Sequence, residues 1–317
     1  MRIAVMGSGG VGGYFGGLLA QAGEDVTFIA RGEHLQAIQS KGLRVESVHG
    51  DFNVRPAKAT DDPSTVGTVD AVLFATKTFH IEEAAAAMQP MVGPETVILP
   101  LQNGVEAPER LLTVFEPENV LVGACWIISA VAEPGVIRQA SEVRRIALGE
   151  LDGRITPRVE DIAAALRRAG ATVEVSAEIN KELWTKFLWV AAFSGLAAVT
   201  RVPLGELLGC AETRQLFERA MQEIEALAEA SGVTLDEDVV AKTVAFAEGV
   251  EPTATASMQR DIMEGRPSEL AAQNGFVAQR GAALGVPVPV NTFVCSVLLP
   301  LERRARAAGT GTRMDTD

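Results

Sequence analysis

A short apolar strand pattern followed at once by a glycine frame constrains the fold of this chain more than any other feature. The run "RIAVM" leads into "GSGGVGGYFGGLLAQ", in which Gly7, Gly9 and Gly12 form a G-x-G-x-x-G pattern at the start of a predicted helix. In a β–α unit the first glycine permits a tight turn, the second lets backbone approach a pyrophosphate, and the third allows the helix to pack closely on the strand. The frame therefore predicts a dinucleotide-binding loop, and the alternative is a merely glycine-rich β–α turn.

Strand and helix patterns alternate along the first half of the chain. The runs "DVTFIA", "DAVLFAT", "TVILP" and "VLVGACWII" are continuously apolar, as in parallel strands covered on both faces. From "AEINKELWTKF" onward the pattern is almost wholly helical, and "TRQLFERAMQEIEALAEASG" is its clearest amphipathic stretch. We predict a Rossmann-type doubly wound parallel sheet over residues 1–176, an all-α domain over residues 177–308 and a disordered tail over residues 309–317.

Charge and cysteine content exclude several classes of function. A net charge of −13 repels nucleic acid and anionic membrane, so neither is an expected partner, and an anionic ligand requires a local group of cations. The three cysteines are widely spaced and the three histidines are scattered, so neither a disulfide framework nor a metal site is predicted. The N-terminus does not resemble a signal peptide, and a cytoplasmic location is the default expectation.

The residues that follow the second strand indicate which dinucleotide is bound. An NAD enzyme usually has an acidic residue there, which hydrogen-bonds the ribose 2′-hydroxyl. This chain has Ala30 and Arg31 instead, so a guanidinium is available for a 2′-phosphate and we predict NADP(H). The alternative for Arg31 is a solvated loop residue.

Two more polar side chains follow predicted strands and are expected at the same edge of the sheet. Lys77 follows "LFAT", and Asn103 with Gly104 follows "VILPLQ". Ligands of open parallel sheets lie outside the carboxyl ends of the strands, so both positions favour contact with a cofactor. A simple turn-forming Asn-Gly pair is the alternative for the second position.

Lys186 is the unusual residue of the helical region. In "ELWTKFLWVAAF" it shares a helix face with aromatic and aliphatic side chains, where an unpaired ammonium is costly. One interpretation is structural, because Glu182 lies four residues earlier and can pair with the ammonium while the stem reaches water.

Six short motifs, in this order, resemble the ketopantoate reductase (2-dehydropantoate 2-reductase) family. They are "GSGGVGGYFG", the arginine after the second strand, "TK" after the third, "QNGVE" after the fourth, "WTKF" at the start of the helical region, and "SMQRDIMEGRPSEL" near the end. The resemblance extends from residue 3 to about residue 301. It implies NADPH-dependent reduction of a 2-oxo acid, either 2-dehydropantoate to pantoate in pantothenate biosynthesis or a related branched 2-oxo acid, with the active site in the cleft between the two domains.

The resemblance also implies roles for particular residues. The cofactor is implied to contact the glycine loop (Gly7, Gly9, Gly12), Arg31 through its 2′-phosphate, Lys77 and Asn103. The substrate is implied to contact Asn103 and, through its carboxylate, Ser257. Lys186 corresponds to the general acid and Glu269 to the glutamate that assists it. A developing alkoxide is stabilised by a positioned donor that can transfer a proton, and a lysine can fill this role.

This chain departs from the family pattern at two positions. The family has asparagines four and eight residues after the lysine, which meet the hydroxyls of pantoate, whereas this chain has Val190 and Ser194. Serine can still donate a hydrogen bond and valine cannot. Ser194 is therefore a predicted substrate contact, and the substrate itself is open.

Two alternatives follow from the sequence. The chain could be an NADPH-binding sensor or regulatory protein with this fold and no turnover, although retention of Lys186, Glu269 and Ser257 favours an enzyme. Glu269 could also be a solvated residue in a helix that Ser268 caps.

The apolar content of "FVCSVLLPLERRA" leaves room for a homodimer interface.

Overall fold

The computed structural model describes residues 1–311, which form twelve strands and twelve α-helices. The strands are β1 (Arg2–Met6), β2 (Asp25–Ile29), β3 (Leu43–Ser47), β4 (Phe52–Val54), β5 (Lys58–Thr60), β6 (Ala71–Phe74), β7 (Val97–Pro100), β8 (Leu121–Trp126), β9 (Ser129–Glu133), β10 (Val136–Gln139), β11 (Arg145–Glu150) and β12 (Thr172–Val175). The helices are α1 (Gly10–Gln21), α2 (Gly32–Lys41), α3 (Ile81–Met88), α4 (Ala107–Leu111), α5 (Pro157–Arg168), α6 (Ile179–Thr200), α7 (Leu204–Gly209), α8 (Ala211–Ala230), α9 (Val239–Glu248), α10 (Ser257–Met263), α11 (Phe276–Leu284) and α12 (Pro289–Gly311). A π-helical turn, Ala271–Gly275, precedes α11.

Contacts between Cα atoms divide the chain into two units. The first comprises Met1–Gln102 and Glu106–Leu183, and the second comprises Asn103–Val105 and the residues from Trp184 onward. The division therefore falls within α6, whereas the sequence pattern changes near residue 176. Of the tail predicted at residues 309–317, residues 309–311 are the end of α12, and residues 312–317 lie outside the described residues.

The central sheet of the first unit is parallel, with strand order β5-β2-β1-β6-β7. The chain runs from β1 to β2 on one side and from β6 to β7 on the other, so the strand order reverses between β1 and β6. In such sheets the ligand crevice lies at the carboxyl ends of the strands at this reversal. The predicted doubly wound parallel sheet is confirmed.

Helices cover both faces of this sheet, which explains why its central strands β1 and β6, and the neighbouring β7, are almost continuously apolar. Ile3 and Val5 of β1 belong to the core that includes α1, and the alternate residues Ala4 and Met6 belong to a second core that includes α3. Successive side chains of a strand point to opposite faces, so a strand buried on both sides loses the usual alternation of apolar and polar residues.

Two smaller sheets complete the first unit, and the sequence patterns did not predict them. One has the order β4-β3-β10-β9 and the other the order β12-β11-β8. The run "VLVGACWII" does contain a strand, β8, but β8 pairs antiparallel with β11 instead of joining the parallel sheet. A single bridge between Ile98 and Val120 links its start to the parallel sheet.

The second unit is helical, as predicted, and α6 lies in its core. Apolar residues occur all round this helix, which is typical of a helix buried on most sides. The rings of Trp184, Phe187 and Phe276 meet with centroids 5.8–6.0 Å apart. Within residues 1–311, α6 is the one helix long and apolar enough to cross a membrane, and 72% of its most apolar window is buried inside the structure, as in a core helix.

Candidate functional site

The glycine loop after β1 has the geometry that its sequence predicts. Gly7 has a φ of +96°, and a Cβ there would lie 2.7 Å from the amide nitrogen of Thr76. A Cβ at Gly12 would lie 2.2 Å from the carbonyl oxygen of Gly7. A Cβ at Gly9, in contrast, would meet no atom of the described chain within 4 Å apart from Gly9 and its two neighbours in sequence. Packing therefore requires Gly7 and Gly12, whereas Gly9 borders open space that a ligand can enter.

The start of α1 is suited to a phosphate group. Gly9 is the N-cap, and among the described residues no side chain caps this end of the helix. The neighbouring Ser8 hydroxyl donates to the carbonyl of Ile29 at 3.0 Å, so it does not cap the helix either. The amides of the first turn have no partners within the helix, and together with the helix dipole they favour an anion.

Polar side chains near the carboxyl ends of β6 and β7 include two that the sequence interpretation missed. In the described chain, the hydroxyl of Thr76 and both amide atoms of Gln102 are buried without a hydrogen-bond partner. Buried polar groups are usually paired, so these atoms are candidates to contact a bound ligand. The available signal was their position directly after strand patterns, next to Lys77 and Asn103.

Arg31 forms an ion pair that its sequence did not indicate. Its Nη2 lies 2.7 Å from Oε1 of Glu83 on α3, and both side chains are more than half exposed. The hydrogen bond from Arg31 is the main reason that the pKa of Glu83 lies below its usual value. Lys77 is also exposed, and it immediately precedes a 3₁₀ turn, Thr78–His80. The guanidinium is therefore near the surface, with a carboxylate as its present partner.

In the second unit, three of the predicted site residues form one hydrogen-bonded group. Nζ of Lys186 donates to Oδ1 of Asn103 at 3.1 Å, and Nδ2 of the same amide donates to a carboxylate oxygen of Glu269 at 3.5 Å. Lys186 is 8% exposed and Glu269 is 6% exposed. The structure thus brings together an ammonium, an amide and a carboxylate that are 83 and 166 residues apart in sequence.

The turn at Gly104 directs Asn103 into this group. Gly104 has a φ of +97°, which favours glycine, and a Cβ there would lie 3.1 Å from the carbonyl oxygen of Ala272 in the π-helical turn. Residues 103–105 bend the chain here, and the Asn103 side chain beside the positive-φ glycine contacts Lys186.

The residue before Glu269, Ser268, is buried and is anchored to α12. The amide of Ser268 donates to the carboxylate of Glu302 at 3.0 and 3.2 Å, and its hydroxyl donates to the same group. Arg306 forms an ion pair with Glu302 at 2.7 Å. Glu269 is not the solvated helix residue of the alternative interpretation, because it is buried and is followed by a π-helical turn. π-helical turns are frequent at functional sites.

Glu182, the proposed structural partner of Lys186, pairs with a different residue. Glu182 accepts a hydrogen bond from Arg145 at 2.6 Å, and Arg145 also stacks over the ring of Trp126. Burial is the largest single influence and lowers the pKa of Arg145, but the hydrogen bond that Arg145 donates to Glu174, together with the charge of Glu182, outweighs it and raises the pKa. Glu182 is therefore engaged by a guanidinium, whereas Lys186 donates to Asn103.

The remaining predicted residues lie in the same unit. Ser257 is the half-buried first residue of α10, and its side chain takes no part in the hydrogen bonds described for Lys186, Asn103 and Glu269. On α6, Val190 is half-buried one turn after Lys186, and Ser194 is buried one turn later. Within residues 1–311 no group of three His, Cys, Asp or Glu side chains could hold a metal ion.

Comparison with known proteins gives consistent similarities. The family "Ketopantoate reductase PanE/ApbA" matches residues 3–153, and "Ketopantoate reductase PanE/ApbA C terminal" matches residues 178–302. The "Uncharacterized oxidoreductase YkpB" of Bacillus subtilis is 30% identical over 290 residues, covering 92% of this chain and 95% of that protein. The 2-dehydropantoate 2-reductase of Halobacterium salinarum is 32% identical over 292 residues, again covering 92% and 95%.

A solved structure is similar over the same range. The crystal structure of the PanE/ApbA family ketopantoate reductase from Ralstonia eutropha JMP134 has a TM-score of 0.89 and 34% identity, and the match covers 96% of this chain and 100% of that one. The similarity therefore includes both the α/β unit and the helical unit.

Proposed function

Since the chain belongs to the ketopantoate reductase family of NADP-dependent oxidoreductases, we propose that it reduces a branched 2-oxo acid to the 2-hydroxy acid with NADPH. The observation that carries the proposal is the buried group of Lys186, Asn103 and Glu269. A buried ammonium held by an amide and near a carboxylate is an expensive arrangement for stability alone. It is an effective arrangement for delivering a proton.

Reduction of a ketone requires a hydride at the carbonyl carbon and a proton at the carbonyl oxygen. NADPH, when bound, supplies the hydride. The Lys186 ammonium donates the proton, and its positive charge stabilises the oxygen as negative charge develops there. The carbon–oxygen double bond becomes a single bond, and the product is a 2-hydroxy acid. Lys186 and the substrate oxygen therefore meet directly in this proposal.

Asn103 and Glu269 orient the proton donor. An asparagine amide has an acceptor end and a donor end. Its Oδ1 accepts from Lys186 while its Nδ2 donates to Glu269, so the carboxylate fixes which end of the amide faces the ammonium. Glu269 also provides the negative charge that lets an ammonium remain buried. Both residues hold Nζ of Lys186 in place before the substrate arrives.

The residues of the first unit fit the cofactor. The uncapped amides at the start of α1 suit the pyrophosphate, and the open space beside Gly9 lets it approach the backbone. Arg31 suits the 2′-phosphate, and Lys77 adds a second positive charge at the same edge. In a chain with a net charge of −13, such local cations are what an anionic cofactor requires.

The proposed preference for a branched, weakly polar substrate comes from α6. The chain retains Ser257 and Asn103, which the family resemblance assigns to the carboxylate and the ketone, but Val190 and Ser194 replace two asparagines of the family pattern. Each lost neutral hydrogen bond costs about 0.5–1.5 kcal/mol, so two losses weaken recognition of the ketopantoate hydroxyl by about 1–3 kcal/mol, or about five- to 150-fold in catalytic efficiency. The enzyme can still reduce 2-oxo acids after such a loss. It then discriminates only weakly between ketopantoate and 2-oxo acids that lack its hydroxyl.

The test is NADPH oxidation against a panel of 2-oxo acids that includes ketopantoate and its deoxy analogue, 2-oxo-3,3-dimethylbutyrate. We expect turnover of both acids. The kcat/KM for ketopantoate should exceed that for the deoxy analogue by less than about 150-fold. The double variant Val190→Asn/Ser194→Asn should raise the ratio in favour of ketopantoate. A ratio of about a thousandfold in the wild type exceeds what two hydrogen bonds provide and would contradict the substrate proposal.

The same panel addresses the alternative function. A protein that binds NADPH but turns over none of the acids would support the sensor interpretation. A protein that binds neither cofactor nor substrate would contradict both.

A further inference from the structure

We propose that Glu83 is a specificity-determining residue that narrows the preference for NADPH over NADH by competing with the 2′-phosphate for Arg31. The inference rests on the proposed function, because it concerns the cofactor of the same reaction. It adds a residue on α3 that neither the glycine frame nor the end of β2 indicated.

The position of the ion pair in the fold is the first part of the argument. Arg31 follows β2 and Glu83 lies on α3, which follows β6. In the sheet, β2 and β6 are the two neighbours of β1, whose carboxyl end carries the glycine loop. An ion pair of 2.7 Å between Arg31 and Glu83 therefore joins the elements on either side of the glycine loop, at the edge where a dinucleotide binds.

The surroundings of Glu83 are the second part. One carboxylate oxygen contacts Arg31, and the other lies 3.2 Å from Nδ1 of His80. Arg31 and Glu83 are 54% and 55% exposed. Exposed ion pairs are weak, so a phosphate group can displace the carboxylate from the guanidinium. The contact with His80 gives Glu83 a partner that it can keep after Arg31 has been released.

The chemistry of the two cofactors gives the direction of the effect. A 2′-phosphate needs the same guanidinium that Glu83 holds, and its charge repels the carboxylate. A 2′-hydroxyl carries no charge and can donate a hydrogen bond to a carboxylate, which is what the acidic residue after the second strand does in NAD enzymes. Glu83 thus weakens binding of NADPH and does not weaken binding of NADH.

The chain contains a matched control for this charge. Glu82 is the preceding residue of α3 and is also exposed, but it pairs with Arg110 through two hydrogen bonds of 2.6 and 2.7 Å. Glu82→Gln and Glu83→Gln remove the same charge from the same helix. Only the second change releases Arg31.

The experiment measures the Kd of NADPH and of NADH by titration of the full-length protein, in the wild type and in the variants Glu83→Gln, Glu82→Gln and Arg31→Gln. We expect Glu83→Gln to tighten NADPH binding by about three- to tenfold relative to Glu82→Gln, the combined size of one released exposed ion pair and one removed repulsion. NADH binding should stay the same or weaken. Arg31→Gln should reduce the preference for NADPH.

The outcomes separate this inference from the proposed function. If Glu83→Gln changes the NADPH/NADH preference no more than Glu82→Gln does, the competition is absent and the inference is wrong, while the reductase proposal stands. If Arg31→Gln leaves the preference unchanged, Arg31 does not hold the 2′-phosphate and the inference is again wrong. If the wild type binds neither cofactor, the proposed function fails and the inference fails with it.

Discussion

Replacing Gly9 by alanine separates binding of the cofactor from folding, because a methyl group at this position meets no atom of the described chain within 4 Å beyond the two adjacent residues. The φ of Gly9 is −74°, so this glycine does not occupy the left-handed region that disfavours alanine. Gly12 is the matched contrast three residues later. A methyl group there would lie 2.2 Å from the carbonyl oxygen of Gly7, so backbone must move to admit it.

The expected stabilities follow from these two environments. Gly9→Ala gains about 0.4–1 kcal/mol by restricting the unfolded chain and loses a similar amount because alanine is a poorer N-cap than glycine. Its Tm should therefore stay within about 4 °C of the wild type, the effect of 1 kcal/mol on a unit of this size. Gly12→Ala overpacks a backbone contact and should lose about 1–3 kcal/mol or more, with a correspondingly lower Tm.

Although Gly9→Ala should change stability little, it should weaken NADPH binding strongly. At Gly9 the methyl group occupies the space through which the pyrophosphate reaches the amides of α1. Loss of one hydrogen bond to a charged group costs about 1.5–3 kcal/mol, so the Kd of NADPH should rise about ten- to 150-fold. Titration of NADPH fluorescence and thermal melts of the same samples measure both quantities. Gly9→Ala protein that melts like the wild type and binds NADPH within about twofold of it would refute the assignment of the cofactor loop.

Three further predictions concern the second unit and the first. Lys186→Ala should lower kcat by about 10²–10⁴-fold, which is the range for general acid catalysis. The control variant Lys181→Ala, on the same helix, should leave kcat unchanged. A near wild-type kcat in folded Lys186→Ala protein would show that Lys186 has a structural role instead. Glu269→Gln should lower kcat/KM by about tenfold or more with a small change in Tm, and a sharp fall in Tm with unchanged kinetics would favour a structural role. Burial raises the pKa of Glu150, but hydrogen bonds led by that from Arg158 outweigh it and hold the pKa below its usual value. The ionised Glu150 carboxylate therefore stabilises the fold at pH values above its unfolded-state pKa, and this stabilisation is lost as the pH falls through the lowered folded-state pKa. The variant Glu150→Gln should have a lower Tm than the wild type at pH 7, and its Tm should change less as the pH is lowered.

The magnitude of the Lys186 effect distinguishes lost chemistry from lost folding. If a domain of about 5 kcal/mol stability loses about 3 kcal/mol with the lysine, about 97% of it remains folded at 25 °C. Unfolding on this scale removes a few per cent of the activity. A hundredfold loss of kcat must therefore come from the reacting groups.

Local sequence determined the parts of this fold that depend on short stretches of chain. The apolar runs of β1, β2, β6 and β7 were sufficient to predict the parallel sheet, because strands covered on both faces need apolar residues at every position. The glycine frame predicted its own backbone, since a positive φ at Gly7 and close contact at Gly12 exclude other residues. The amphipathic period similarly predicted α8.

The two smaller sheets depended on tertiary structure. Five of their strands, β3, β4, β9, β10 and β12, are short and partly polar. In addition, β3 pairs with β10, which lies far along the chain. β8 has the apolar pattern of a parallel strand but pairs antiparallel with β11. Strand partners are chosen by the path of the chain, and the residues of a single strand do not specify that path.

The candidate site also depends partly on local sequence and partly on tertiary structure. Sequence motifs named Lys186, Asn103 and Glu269, but hydrogen bonds between residues 83 and 166 positions apart exist only after the chain has folded. The burial of Glu269 and the pairing of Arg31 with Glu83 had no local signal either. Residue type and local period determine secondary structure and backbone freedom, whereas the solvent exposure and partner of a charged group depend on what distant segments bring beside it.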